Sequence, residues 1–179
     1  MKKVLLTAVA LIFCFISWTQ GLEPKDEGSS ITFKIKNFGL QVDGSFTGLK
    51  GKIDFDPNVL STAIFDVSVT TSTINTGIDM RDNHLRKDEY FNVKNFNTIR
   101  FVSTKVKSTD GKLIMTGNLT IKKKTIEIKF PFTAQQVEGA WFFKGTFPLN
   151  RRDFDVGSGS FSLSDELNVQ LVIRAVGKM

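Results

Sequence analysis

The chain has 179 residues, 24 Lys and Arg against 18 Asp and Glu, and a formal net charge of +6, with a single Cys and a single His. One Cys and one His exclude a disulfide framework, a zinc–thiolate site and the two- or three-histidine zinc centres of hydrolases. The basic excess is mild and scattered, without the aromatic–basic interleaving of a nucleic-acid motif, so no nucleic-acid partner is expected.

Lys2 and Lys3 precede an apolar run from Val4 to Trp18, too short for a comfortable membrane span, with small residues at Ser17, Thr19 and Gly21. This pattern predicts a secretory leader over residues 1–21 and a mature domain over 22–179, hence a periplasmic or secreted protein. Removing the leader lowers the net charge from +6 to +4 and takes away Cys14, the only Cys. About 158 residues remain, enough for one domain with a sizeable core.

Leu22 to Ser29 is polar with one Pro and reads as a linker. Ile31, Phe33 and Ile35 then alternate with polar residues. Val42, Gly44, Phe46, Ile53 and Phe55 continue the alternation, with Gly48 and Gly51 predicting a bend within one long strand. Asp56-Pro57-Asn58 is a turn, and Ala63, Phe65, Val67 and Val69 alternate after it. Residues 74–92 break the two-residue period. Ile78 and Leu85, Met80 and His84, and Arg81 and Leu85 have helical spacings, with Asp79 as the expected N-cap and Asp88 as the cap of a second turn.

Strand patterns resume. Ile99 and Phe101 share one face, and Val102 and Val106 the other. After the turn at Thr109-Asp110-Gly111, Leu113, Met115, Leu119 and Ile121 alternate. Lys122-Lys123-Lys124 reads as a solvated hairpin turn, with a transient membrane-surface contact as the lesser alternative. Ile126, Ile128, Phe130 and Phe132 follow, where Pro131 predicts a strand that is bulged, ends early or lies at an edge. Trp141 to Leu149 and Leu167 to Ala175 are the last two strands. About eight strands joined by short turns predict an all-β fold: an eight-stranded antiparallel barrel with a short helical insertion, or else a sandwich.

Seventeen Phe and one Tyr give this chain apolar faces without polar tips. Such an interior is either a solid core or a dry cavity suited to a long hydrocarbon. His84 is the one base available near neutral pH, and Asp88 four residues on could hold its second nitrogen. No serine lies in a Gly-x-Ser-x-Gly elbow, so the readings of His84 are a structural hydrogen-bonder, a head-group contact or, last, a catalytic base. Arg81 either meets a polar head group or is clasped by an acid such as Asp82 or Asp153. Arg151, Arg152 and Asp153 read as an Arg–Asp clasp.

Taken in order, Ser30-Ile31-x-Phe33, Val42-x-Gly44-x-Phe46-x-x-Leu49-x-Gly51-x-Ile53-x-Phe55-Asp56, Ser72-x-Ile74-x-Thr76, Arg81-Asp82-x-His84-Leu85, Asp88-x-Tyr90-Phe91, Thr98-Ile99-x-Phe101, Gly117-x-Leu119-Thr120-Ile121 and Arg151-x-Asp153-Phe154 resemble the YceI-like family of secreted polyisoprenoid-binding proteins. The resemblance runs from about Gly28 to the C-terminus. It departs at Lys122–Lys124 and Asp155, where glycines are usual, and at Ser29, where a His is frequent; the His common after the first strand is absent too. It implies a lipocalin-like eight-stranded barrel, non-enzymatic, holding an isoprenoid quinone or similar long-chain lipid, with no cofactor beyond that ligand. It leaves open a monomer or homodimer. The residues expected to meet the lipid are Phe33, Phe46, Phe65, Val67, Arg81, His84, Leu85, Phe91, Phe101, Met115, Ile128 and Phe143.

Overall fold

The computed structural model describes residues 21–178. The expected leader lies outside the described residues except for Gly21. Among the described residues no helix is long and apolar enough to cross a membrane.

Nine strands form one antiparallel sheet: β1 (Leu22–Asn37), β2 (Leu40–Phe46), β3 (Lys50–Asp54), β4 (Ile64–Thr70), β5 (Thr98–Thr109), β6 (Lys112–Ile121), β7 (Lys124–Val137), β8 (Ala140–Asn150) and β9 (Leu163–Gly177). Their order is β2-β1-β3-β4-β5-β6-β7-β8-β9, and β1 also pairs with β9, which closes the barrel. β2 pairs with one half of β1, and β3 touches β1 only at Leu22 opposite Ile53. The two segments thus share one position, and the barrel has eight. Among the described residues the one α-helix, α1 (Asp79–Leu85), lies in the long β4–β5 connection.

Several local expectations are corrected. Residues 22–29 are the first half of β1, hydrogen-bonded to β9, with a bulge between Lys25 and Ser30. Their polarity reflects outward-facing positions. Within them Asp26 is structural, since its carboxylate accepts the N–H groups of Gly48 and Leu49. That contact breaks the expected long strand 42–55 into β2 and β3. Gly48 has φ +76° with Thr70 Oγ1 2.3 Å from where a Cβ would sit, so the crossing between the two segments requires glycine.

In β5 a register shift between Ser103 and Lys105 changes the parity of the strand. Phe101 and Val106 therefore both face the core despite their odd separation. The expectation for Pro131 holds. The β7–β8 ladder stops at Phe132 opposite Gly145, while the β6–β7 ladder runs on past Pro131. The missing N–H falls on the side that has no partner strand.

The interior divides into two ends. At the end bearing the turns at 110–111 and 138–139, Phe55, Phe65, Phe132, Trp141 and Phe143 fill the barrel. Phe65 and Phe143 meet edge-on with centroids 4.9 Å apart, and Phe55 stands 5.2 Å from Phe143. These are favourable quadrupole geometries. At the other end, β1 and β9 supply Ile31, Ile35, Leu167, Val169 and Leu171. These side chains point inward yet stay only half-buried. Phe33, Phe46, Phe91 and Phe147 stand on the walls of this end too, yet the side chains do not meet in the middle, and this end is hollow.

Candidate functional site

The hollow end is a cavity of about 420 Å³, within the range of roughly 300–1,000 Å³ usual for small-molecule sites. Its walls are the far half of β1, β9, parts of β2, β4, β5, β6 and β8, and the β4–β5 and β8–β9 connections. Phe46 and Phe91 meet edge-on at 5.5 Å and anchor that connection to the barrel. Phe147, stacked on Phe130 at 4.5 Å, stands where the cavity gives way to the packed core.

Polar groups gather where the connection crosses the cavity. Thr76, Arg81, His84, Tyr90 and Arg151 all line it. α1 begins without a side-chain cap, with Ile78 rather than Asp79 at the N-cap. Asp82 is buried and faces back toward the incoming chain. It accepts from the Thr76 N–H at 2.8 Å and from the Thr76 hydroxyl. Residues 86–96 are a string of turns, in keeping with the turn expected after Asp88, closed by bonds such as Phe91 N–H to Leu85 O and Phe96 N–H to Asn92 O. Arg86 fixes the segment from outside, donating to the carbonyls of Ser72 and Ile74.

Arg81 is clasped by neither Asp82 nor Asp153. Its Nε donates to Thr76 Oγ1 and its Nη2 to Thr76 O, both at 2.7 Å. Among the described residues no carboxylate forms a salt bridge with it. Three of the five guanidinium N–H groups are therefore unspent in a half-buried side chain beside an apolar cavity. The Asp82 charge reaches Arg81 only through the Thr76 hydroxyl, which accepts from one and donates to the other.

His84 is exposed, and its imidazole makes no protein hydrogen bond among the described residues. Its ring rests against Tyr90, centroids 5.0 Å apart and tilted 62°. Neither Asp88 nor a serine holds it, so the expected hydrogen-bonding role is corrected to packing, and the pieces of a hydrolytic set are not assembled. The expected Arg151–Asp153 clasp is corrected too. Arg151 is buried and donates to Asp165 at 2.6 Å and to the carbonyls of Val156, Ser158 and Ser164. Among the described residues no three metal-binding side chains gather.

Of the residues expected to meet lipid, Phe33, Phe46, Val67, Arg81, His84, Leu85 and Phe91 line the cavity. Phe65 and Phe143 belong instead to the packed aromatic end. Phe101, Met115 and Ile128 pack against the core beside or below Phe130 and do not border the cavity. Sequence reasoning missed Tyr90 as a wall, along with Arg151 and the inward residues of β1 and β9. The β1 and β9 residues carried the right alternation, but period alone does not separate a hollow end from a packed one.

The fold and site define a class: a closed antiparallel barrel of lipocalin-like form, with an apolar chamber at one end under a helical insertion. The YceI-like domain model matches residues 23–175, and the chain belongs to the YceI-like family. A UPF0312 protein of Vibrio vulnificus is 30% identical over 94% of this chain and 97% of its own length. Protein YceI of Salmonella arizonae is 29% identical over 99% and 98%. Among solved structures, Burkholderia cenocepacia BcnA superposes with a TM-score of 0.81 at 23% identity, over 86% of this chain and 99% of that one. A polyisoprenoid binding domain from Saccharophagus degradans has a TM-score of 0.72 at 14% identity, over 88% and 98%. Both likenesses concern the fold.

Proposed function

We propose that this protein is an exported, non-enzymatic carrier or store for a long-chain lipid, its apolar tail in the cavity and its polar head beside Arg81, His84 and Tyr90. The observation that carries the reading is a half-buried guanidinium with unspent donors at the edge of a chamber walled mostly by Ile, Leu, Val and Phe. An apolar chamber takes hydrocarbon, and a planar cationic fork takes a phosphate, carboxylate or carbonyl oxygen. The name of the Saccharophagus domain supports an isoprenoid as the tail, and the N-terminal pattern of Lys2, Lys3 and Val4–Trp18 supports export to the periplasm. No prosthetic group enters the reading.

Native mass spectrometry of protein purified from the periplasm tests it. The expected spectrum carries a long-chain lipid adduct, or acquires one from a panel of quinones, polyprenyl phosphates and fatty amides. A protein that arrives empty and takes up none of the panel overturns the reading. In this reading access to the chamber is through the β4–β5 connection, held by Phe91 against Phe46, by Asp82 on Thr76 and by the Arg86 bonds to Ser72 and Ile74. Hydrogen exchange should find residues 74–92 opening more readily than the strands, and less readily when lipid is bound. Equal protection with and without lipid refutes gating.

A further inference from the structure

Of the eight large apolar residues exposed among the described residues, five sit around the mouth of the hollow end: Phe38, Leu40, Ile78, Met80 and Phe161. They belong to three separate segments. Phe38 is in the β1–β2 turn and Leu40 begins β2, Ile78 caps α1 and Met80 lies in its first turn, and Phe161 is in the β8–β9 connection. The segments adjoin. The Phe38 N–H donates to Ser162 O at 2.8 Å, and the bridge between Ser45 and Asn75 sets the start of the insertion beside β2. The neighbours Asn37, Val42, Thr76, Arg81, Ser160 and Ser162 all line the cavity, so the rim continues the chamber wall outward.

The β1–β2 turn is unusual in its chemistry. Phe38 has φ +50° and Gly39 +77°, a two-residue turn with left-handed backbone. Three other hairpins place a non-glycine residue in the same left-handed position, and there it is Asp110, Lys122 or Glu138. Only in the β1–β2 turn is it a phenylalanine, with 76% of its surface exposed. Left-handed backbone disfavours a bulky side chain, and exposing a phenyl ring gains nothing for the fold. Phe161 is fully exposed although its loop is pinned by Arg151 through Val156 O and Ser158 O. Monomeric proteins rarely gather exposed apolar side chains into one patch without a partner for it.

We infer that this rim docks the mouth of the barrel onto a lipid bilayer, inserting Phe38, Leu40 and Phe161 with Met80 and Ile78 beside them. The choice of a bilayer over a second copy of the chain rests on the carrier reading and on shape. The five rim residues come from three separate segments set around the opening of the chamber rather than from one continuous strand or helix face, and a stable dimer buries well over about 1,000 Å². A long lipid tail that leaves a membrane through water costs about 0.8 kcal/mol per methylene. An apolar rim pressed into the headgroup layer makes the path from bilayer to chamber continuous.

The test is flotation of the chain from Gly21 onward, which holds every strand of the closed barrel, with vesicles of phosphatidylethanolamine and phosphatidylglycerol and, separately, of phosphatidylcholine. The protein is expected to float with both, because apolar insertion carries the contact. The double variant Phe38→Ser/Phe161→Ser is expected to lose about tenfold or more in vesicle affinity while keeping its melting temperature and the cargo seen by native mass spectrometry. Ile64→Ser/Val137→Ser, at the opposite end, is expected to float like the parent. A parent that does not float, or a rim variant that floats equally well, overturns the inference. So does a rim variant that turns a dimer into a monomer by light scattering with vesicle binding unchanged. A parent that holds cargo but does not float refutes docking alone. A parent that floats but accepts no lipid refutes the carrier reading alone.

Discussion

Gly44 stands opposite Phe33 in the β1–β2 ladder, and the Phe33 ring lies across it. A Cβ added at Gly44 would fall 2.2 Å from Phe33 Cζ, so in Gly44→Ala the ring must move. The Gly44 backbone is one that alanine adopts freely, and the ring is the far end of a flexible side chain with the cavity beside it. Swinging it off its rotamer costs about 0.5–1.5 kcal/mol, and alanine for a strand glycine returns about 0.5–1 kcal/mol of backbone entropy. The net lies within about 1 kcal/mol, a melting shift of at most about 4 °C in a domain of this size. The chamber meanwhile receives a phenyl ring.

Gly117→Ala is the matched control. There a Cβ would meet Phe101 Cζ at 2.4 Å and Val102 O at 2.5 Å, with a backbone atom that cannot swing and no cavity beside the ring. Overpacking of about 2 kcal/mol lowers the melting temperature by roughly 4–8 °C. Thermal melts and lipid uptake by native mass spectrometry on both variants decide the matter. Gly44→Ala should melt like the parent and bind poorly, and Gly117→Ala should melt early. If Gly44→Ala melts as early as Gly117→Ala, or binds lipid as well as the parent, the hollow end is not where Phe33 faces it.

Arg81→Ala should weaken lipid binding by about 1.5–3 kcal/mol, the range for a hydrogen bond to a charged group, and Arg81→Lys should recover only part of it. Unchanged affinity in a titration of Arg81→Ala removes the head-group assignment. Phe143→Ala at the packed end should cost about 3–5 kcal/mol of stability in a denaturant melt; a cost below about 1 kcal/mol would show that end to be loosely filled. The Asp66 carboxyl is held below its ordinary value by its hydrogen bonds to Arg100. Its stabilising contribution is present above the unfolded carboxyl value and lost as pH falls through the lowered folded value. Asp66→Asn should therefore melt with slightly less loss on acidification, a small effect because both side chains are exposed. An unchanged acid slope would refute it.

Strand alternation and turn residues made the barrel legible, down to the edge position implied by Pro131. The first half of β1 was not legible, because residues 22–29 are polar and become a strand only through β9, which lies at the other end of the sequence. The two sides of β5 were confused for a related reason: a bulge near Thr104 changes parity without a glycine to announce it. In the site, Arg81 and His84 stood out by residue type and Phe33 and Phe46 by pattern. Phe65, Phe101 and Phe143 share that pattern, and whether rings meet in the middle depends on what the opposite wall supplies. The role of Asp82 as the anchor of Thr76 depends on chain reversal at Gly77, φ +80°, which spacing alone does not reveal.

The seam between β1 and β9 sets Leu22 opposite Gly177, so the strand synthesised first completes its ladder with the strand synthesised last. At ordinary translation rates of about 5–20 residues per second, some 10–30 seconds pass before that partner exists. Over this interval β1 can form its hairpin with β2 but keeps one edge open. Contacts of such long sequence separation fold slowly, and an open edge invites pairing with other chains. The ring cannot close while β9 is missing, so the barrel forms only after its last strand has been made.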